Sequence, residues 1–571
     1  MPGNLRFYLW GLLLVLLWIN YQTWMHDYGA LPGSGSTNVT TPAPGGPSGL
    51  GERVPEAPST TAHATAGSAA TEAAAPAGTG GTRSSNGESA AAAAATLVHV
   101  RTDVLDVEIN TRGGTLSRVD LLAYPKVKGE PAPVRLENQD GPQSLYELQS
   151  GLTGPEGGAY PTHLAEYQSA KTDYTLEGAQ ELRVPLIWSE GGVTVTKTFL
   201  FKRGSYGIGL DYAVKNGTDL PWTARSYAQI LRNDPRTKSS MFNVESYAFH
   251  GPALWDGTKY RKLNPQDAQD SHLSLEVRDG WVAALQHHFV SAIVPPRATP
   301  WRFTLGASGD EYLLSVTGPE QEAAPGSSMA FTQTLFTGPK LQDQLEAVSP
   351  ELGRVADYGR LWWLSKPLFW ALDAVFRVTG NWGVAIIFVT FLLKLVFYPL
   401  SEASGRSMAK MKTLQPRIKN LQETYADDRE KLGRAMMELY QREKINPVAG
   451  CLPIVIQIPV FLAFYWVLLE SVEMRQAPFA FWIHDLSSRD PYFILPAIMA
   501  GAMFVQYKLN PAPPDPVQAK VFMIMPIVMS ATFAFFPAGL VLYWVTNTIL
   551  SIAQQWNINR RIAAAAARKK T

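Results

Sequence analysis

One cysteine in 571 residues leaves this chain no means of building an intramolecular disulfide framework or a multi-cysteine metal site. Cys451 sits in the apolar run CLPIVIQIPVF and reads as a packed small hydrophobe. Net charge is nearly missing too: +1 argues against a dedicated nucleic-acid binder, although the charge is unevenly spread. Residues 30–96 lack apolar runs. They are Pro, Gly, Ala, Ser and Thr, a composition that cannot bury a core and is expected to be a flexible linker. Acid is missing from one more place. Five long apolar runs, residues 383–400, 448–469, 491–506, 521–536 and 539–556, contain no Asp or Glu at all. The first nevertheless keeps a lysine, Lys394, in GVAIIFVTFLLKLVFYPL. An unpaired charge near the middle of a membrane helix costs about 2.5–3.5 kcal/mol on insertion scales, so Lys394 needs an explanation.

What is present falls into distinct textures. Residues 1–29 include LRFYLWGLLLVLLWINYQTW, an apolar run ending in Asn20, Tyr21 and Trp24, which read as interface anchors of an uncleaved transmembrane anchor. After the linker, residues 97–340 alternate with period two, as in VHVRTDVLDVEI, GVTVTKTFLF and YGIGLDYAVKNGTD. Gly, Asn and Asp turns punctuate them, which predicts a large antiparallel β-sandwich domain. The pair His287–His288 has no third ligand at metal spacing and reads as strand residues. Residues 341–380 contain LWWLSKPLFWALDAVF, broken by Lys366, Pro367 and Asp373, and are expected to form an amphipathic helix in the membrane interface. Residues 381–558 then hold the five apolar runs as a five-span core. The fold class expected is thus a polytopic α-helical membrane protein with an external β-sandwich domain. Sixteen residues rise only about 24 Å against about 30 Å of hydrocarbon, which predicts a thinned bilayer.

Charge predicts the orientation. Residues 401–446 carry ten Lys/Arg and the tail, 559–571, adds Arg560, Arg561, Arg568, Lys569 and Lys570, whereas residues 470–490 have only Arg475 and Arg489. By the positive-inside rule both termini are cytoplasmic and the β domain external. Within 402–446, Met408, Met411, Leu414, Ile418 and Leu421 recur every three to four residues, as do Leu432, Met436 and Leu439, which predicts a helical hairpin with Asp427 as an N-cap.

Helical spacing places Thr390, Lys394, Tyr398 and Ser401 on one face of the first run. Tyr543, Asn547, Ser551 and Gln554 share a face of the last, and Gln457 joins from the second. Polar side chains from three helices converge most simply on a hydrated pocket, with interhelical glue as the alternative for the hydroxyls. Against it stands an adaptable Met/Phe wall, FMIMPIVMSATFAFF, which includes Met529.

The blocks SMAKMKTLQPRIKNLQE, INPVAGCLPIVIQIPVF, VEMRQAPFAFWIHDLSSRDPYFILP and FFPAGLVLYWVTNTILSIAQQ resemble the YidC/Oxa/Alb family of membrane protein insertases, and the N-terminal 340 residues resemble its Gram-negative arrangement. That resemblance implies an inner-membrane insertase and folding chaperone, not an enzyme, with a hydrophilic groove open to cytosol and lipid. Its groove cation maps onto Lys394, where better-known members carry arginine. The family's substrate contacts correspond to Gln457, Phe461, Thr532 and Phe535. The partners implied are nascent inner-membrane proteins, the Sec translocon with its accessory subunits, membrane lipids, and the ribosome. The ribosome is expected at the basic hairpin and tail, through Lys410, Lys412, Arg417, Lys419, Arg560 and Arg561. No cofactor, metal or sequence-specific nucleic acid is expected. A transporter reading would predict internal repeats and broken helices in matching halves, and an external carbohydrate-processing enzyme would need paired carboxylates in a local motif. Neither is apparent in the sequence.

Overall fold

Strands 181–190 and 193–202 are separated by two glycines, and both take left-handed backbone, φ 58° at Gly191 and 83° at Gly192. Only a residue without Cβ enters that region freely, so the pair closes a tight hairpin whose twist matches its strands. The hairpin runs in register from Glu181↔Lys202 to Glu190↔Val193, and along Val193–Lys202 buried and partly buried residues alternate. Period-two burial of this kind builds the β domain of the computed structural model, which describes residues 49–55, 96–234, 248–297, 299–425, 428–443, 452–509 and 516–568. The expected anchor, most of the linker and Cys451 lie outside the described residues.

Two sheets enclose one core. The first runs from Ser274–Val277 through Trp301–Ser308, Glu311–Thr317, Trp222–Asn233, Tyr146–Thr153, Thr115–Pro125 and Leu105–Asn110 to Leu97–Arg101 and Asp173–Thr175. The second runs from Tyr260–Lys262 through Gly251–Trp255, Trp281–Leu285, Phe289–Val294, Ser328–Pro339, Gly207–Asn216, Val193–Lys202 and Glu181–Glu190 to Gln168–Ser169. Pairing is antiparallel except where Leu97–Arg101 meets Asp173–Thr175. Gly251–Trp255, Trp281–Leu285 and Phe289–Val294 are buried at every residue. A solvent-facing sheet would expose every second residue. Here Leu345, Leu352, Val355 and Val472, from segments beyond the domain, join its core.

That junction links the β domain to the helices. Lys340 Nζ lies 3.6 Å from Glu470, both side chains almost fully buried, and the Lys340 amide donates to His288 O. His287 Nε2 is 2.9 Å from Leu469 O. Arg475 Nη2 donates to the carbonyls of Pro125 and Lys126, and Lys128 Nζ to those of Gln476 and His484. His287 and His288 are therefore turn residues rather than the strand residues expected. Their rings stack 3.8 Å apart, and burial pushes the pKa of His287 down to about 3.

Nine α-helices follow among the described residues: α1 (Gln342–Val348), α2 (Trp362–Thr379), α3 (Trp382–Val396), α4 (Tyr398–Thr424), α5 (Arg429–Arg442), α6 (Leu452–Glu470), α7 (Ile494–Leu509), α8 (Pro516–Phe533) and α9 (Ala538–Arg568). The segment expected as one interfacial helix is thus α1, two short 3-10 turns and α2. In α2 one face buries Ser365, Leu368 and Leu372 while Trp362, Trp363 and Trp370 point outward, as an interfacial helix requires. No single helix among the described residues is long and apolar enough to cross a membrane. The bent pair Trp382–Val396 and Tyr398–Ser407 satisfies length and composition together, and Ile456–Glu470, Ile494–Leu509 and Lys520–Phe533 are shorter apolar helices. Helices α4 and α5 form the expected hairpin over Met411, Leu414, Ile418, Leu432, Met436 and Leu439. The N-cap of α5 is Asp428, accepting from the Lys431 amide at 3.0 Å, one residue later than the expected Asp427, which lies outside the described residues.

One expectation fails inside the linker. Residues 49–55 pack on the β domain, with Leu50 only 1% exposed against Leu231 and Leu313. Average composition hides a single apolar residue whose flanking glycines permit a turn.

Candidate substrate groove

Helix α3 starts where Asn381 Oδ1 accepts the Val384 amide at 3.1 Å, a standard N-cap, while Asn381 Nδ2 donates to Phe479 O. Gly383 is required there for closeness: a Cβ would fall 2.1 Å from the Phe479 ring. The helix ends at Val396, and the chain turns by 63° into α4. Pro399 explains the break. It has no N–H to donate to Leu395 O, and in the first turn of a new helix that loss is harmless.

The bend corrects the single stripe expected along 390–401. Thr390 and Lys394 stay on α3 and Ser401 re-enters from α4, whereas Tyr398 is not among the residues lining the cavity these helices form with α6 and α9. The polar lining of that cavity is Thr390, Lys394, Ser401, Gln457, Tyr543 and Asn547. Lys394 Nζ donates to Ser551 Oγ at 2.8 Å, and Ser551 Oγ in turn donates to Asn547 O at 2.7 Å. Gln457 Nε2 donates to Asn547 Oδ1 at 2.5 Å, tying α6 to α9. Thr390 Oγ1 bonds back to Ile386 O within its own helix. Among the described residues no carboxylate pairs with Lys394. The site is a cation bonded to a hydroxyl beside a pair of side-chain amides, with donors and acceptors to offer a polar guest.

Apolar residues complete the lining: Leu393, Phe397, Leu400, Ile456 and Val460. Sequence reasoning passed over them because a hydrophobe in an apolar run carries no signal alone. For Leu393, Phe397, Ile456 and Val460, a spacing of one or three residues from Lys394 or Gln457 was the available clue. Towards the β domain the space closes on aromatic rings. Tyr543 stacks on Phe464 at 4.5 Å, Phe461 meets Trp544 edge-on at 4.7 Å, and Phe533 lies 5.1 Å from both Trp544 and Phe536.

The expected apolar slide lies beside the cavity rather than in it. Phe461 reaches the Tyr543 ring, Met529 and Phe535 are half-buried, and Thr532 is exposed on α8 with Oγ1 bonded to Val528 O. Along the same helix Val521, Phe522, Met523, Ile524, Ile527 and Val528 are exposed. Of the basic residues, Lys410, Arg417 and Lys419 are exposed on α4, Arg417 paired with Glu443 at 2.6 Å. The Lys412 side chain lies outside the described residues. Arg560 and Arg561 are exposed on α9, Arg560 over the Trp556 ring. Helix α9 continues through the expected tail to Arg568, and Ile558 packs so tightly on Gly405 of α4 that a Cβ there would sit 2.9 Å away.

Residues 374–565 match the family model described as 60Kd inner membrane protein, and residues 97–371 match that described as YidC periplasmic domain. The membrane protein insertase YidC of Thioalkalivibrio sulfidiphilus is 45% identical, with 98% of this chain and 99% of that one covered. Its counterpart from Nitrosococcus oceani is 44% identical over 98% of this chain and 99% of its own. Among solved structures, that of an active YidC insertase with its first transmembrane domain is 17% identical, covers 80% of this chain and 94% of that one, and gives a TM-score of 0.35.

Proposed function

We propose a working for the groove from one premise: the chain belongs to the YidC family of membrane protein insertases, and is a polytopic inner-membrane protein carrying a β-sandwich domain. Its activity is the insertion of hydrophobic segments into the membrane. The observation that carries the mechanism is the Lys394 ammonium, set in a cavity between α3, α4, α6 and α9 and bonded to a hydroxyl, with no carboxylate partner among the described residues. Such a cation attracts an acidic or carbonyl-rich flank of the substrate. Gln457, Asn547 and Ser401 replace the water that the flank gives up. The adjoining apolar segment meanwhile moves along Phe461, Met529, Thr532 and Phe535 into lipid, so neither part of the substrate meets a solvent it cannot tolerate.

The short apolar helices support the same reading. The 16 residues of α7 rise about 24 Å against about 30 Å of hydrocarbon, so the bilayer around this core is thinned and the polar flank has less distance to cross. The basic hairpin α4–α5 and the end of α9 face the cytoplasm and receive the ribosome, while the β domain is periplasmic. The positive charge gathered on the former, and its scarcity in residues 470–490 beneath the latter, support that orientation. Substrates too large for the groove are received from the Sec translocon.

A photo-crosslinker at Ser401 or Gln457 should capture a stalled nascent inner-membrane protein, whereas one at Asp219, exposed on the β domain, should not. Equal capture from all three positions would remove the groove as the substrate's path.

A further inference from the structure

The β domain holds a cleft whose buried polar groups bond to its own strands, Gln149 Nε2 to Glu147 Oε2 at 2.8 Å among them, and also to chain from outside the domain. Gln149, Gln229 and His163 are 5%, 0% and 3% exposed, and all three aim donors at one short piece of remote chain. His163 Nε2 lies 2.9 Å from Gly51 O, Gln149 Nε2 is 3.4 Å from the same carbonyl, and Gln229 Nε2 donates to Arg53 O at 3.2 Å. The donors are themselves positioned. Gln229 also donates to Gln149 Oε1 at 2.7 Å, and Ser315 Oγ donates to Gln229 Oε1. The His163 amide donates to Tyr227 Oη, which lies 2.7 Å from His163 Nδ1. Gly51 O can only accept, so the ring proton of neutral His163 sits on Nε2, and Nδ1 accepts a hydrogen bond from the Tyr227 hydroxyl. Beside this polar row, Leu145, Leu231 and Leu313 receive Leu50. Gly51 fits because it has no side chain: a Cβ would lie 2.9 Å from Leu231 Cδ2.

We propose that residues 49–55 are an internal clip that docks the N-terminal stretch into this cleft, leaving residues 30–48 as the leash of the apolar segment at residues 5–24. A buried apolar anchor followed by two carbonyls held by buried side chains is a built peptide site, and the chain fills it with its own LGER. The β domain is already fixed to the helices through Lys340, His287 and Arg475, so the clip does not set that domain's place. It sets how far the N-terminal segment can travel from the groove. At about 3.5 Å per residue, the leash reaches at most roughly 65 Å from residue 49, against roughly 230 Å if all of residues 30–96 were free.

Trypsin tests this in the full chain. Between residues 30 and 96 the only Lys or Arg residues, where trypsin cuts, are Arg53, inside the clip, and Arg83, outside it. With rates corrected for synthetic peptides of the same sequence, cleavage after Arg53 should be at least tenfold slower than after Arg83. Leu50→Asp and Gly51→Leu, both on the clip and not on the β domain, should abolish the difference. Glu52→Ala, whose side chain is exposed, should preserve it. Equal cleavage at both sites in the wild-type protein would overturn the clip. Spin labels at Ala30→Cys and Leu220→Cys, in a Cys451→Ser background in nanodiscs, test the leash. Leu50→Asp should broaden the distance distribution and move it outward, and a clip released by trypsin's measure without that change would overturn the leash.

Discussion

The ammonium of Lys394 has Ser551 Oγ as its acceptor and no carboxylate among the described residues, so its charge is solvated by the groove but not cancelled. What it offers a substrate is therefore charge more than shape. Lys394→Arg should keep insertion close to wild type, since a cation survives. Lys394→Leu should slow insertion of substrates with acidic flanks about tenfold, the loss of roughly 1.4 kcal/mol of attraction, and Lys394→Glu should be worse. Insertion into proteoliposomes measures all three, and a Leu variant indistinguishable from wild type on every substrate would make the charge merely tolerated. Much of this site was legible because a lone polar residue in an apolar run has few explanations: Lys394, Gln457, Tyr543 and Asn547 meet as their spacing required. The clip was not legible, since Leu50 is one apolar residue among dozens of small ones and its partners lie about a hundred residues or more away. Its histidine carries a second prediction. Burial, with Lys197 and Arg112 nearby, lowers the pKa of His163 to about 4, although the Gly51 carbonyl acts the other way. A depressed folded pKa contributes stability that is complete above about 6.5 and is lost as pH falls towards 4, about 3 kcal/mol in all. The stability gap between wild type and His163→Gln should narrow over that window, and a gap independent of pH would show that the folded protein takes up the ring proton as readily as the unfolded chain.

At the scale of elements, the groove exists because one helix was broken into two. Had α3 run on straight, Thr390, Lys394, Tyr398 and Ser401 would form a single row. With the 63° bend, Ser401 lines the cavity from α4 and Tyr398 leaves it. Proline at the start of a helix and proline as a kink look alike in sequence, which is why the elements were legible here and their angle was not. Pro399→Ala restores an N–H facing Leu395 O and removes the ring's clash, an effect of about 3 kcal/mol in a helix interior. The bend should relax, and disulfide trapping between Ser401→Cys and Gln457→Cys, in the Cys451→Ser background, should fall together with insertion. Unchanged trapping would place the cause of the bend in the packing of α4 against α9. The double burial of Gly251–Trp255, Trp281–Leu285 and Phe289–Val294 has a similar history. Period-two alternation was the expectation for all of residues 97–340, and nothing local said that Leu345, Leu352, Val355 and Val472 would join this core.

Across the whole molecule, α6 connects two places that the sequence keeps apart. Its Gln457 lies in the groove, and its far end, Leu469 and Glu470, lies in the joint with the β domain. Removing one partner of a buried ion pair destabilises by about 3–5 kcal/mol, because the other charge stays buried alone. Lys340→Met should therefore loosen the β domain, splitting one calorimetric transition into two, and adding Glu470→Gln should restore most of the loss. If the double variant were as unstable as the single, the pair would not be what holds the joint. The same axis sets what the groove can carry. The cavity is polar at Ser401 and Lys394, yet between it and the β domain lie the packed Trp382, Ile386, Phe464 and Leu540. A passage closed on that side shelters a short polar flank only. Each charge left in hydrocarbon costs some 2.5–3.5 kcal/mol, so a few unsheltered charges exceed what burying one apolar segment returns. Purified protein in liposomes should insert substrates whose translocated flank has about ten sparsely charged residues, and should fail, by a hundredfold or more, when that flank reaches about one hundred. Adding Sec components should recover the long flank and leave the short one unchanged. Equal insertion of both lengths without Sec would mean that the aromatic packing opens into a continuous pore, and the closed groove would have to be abandoned.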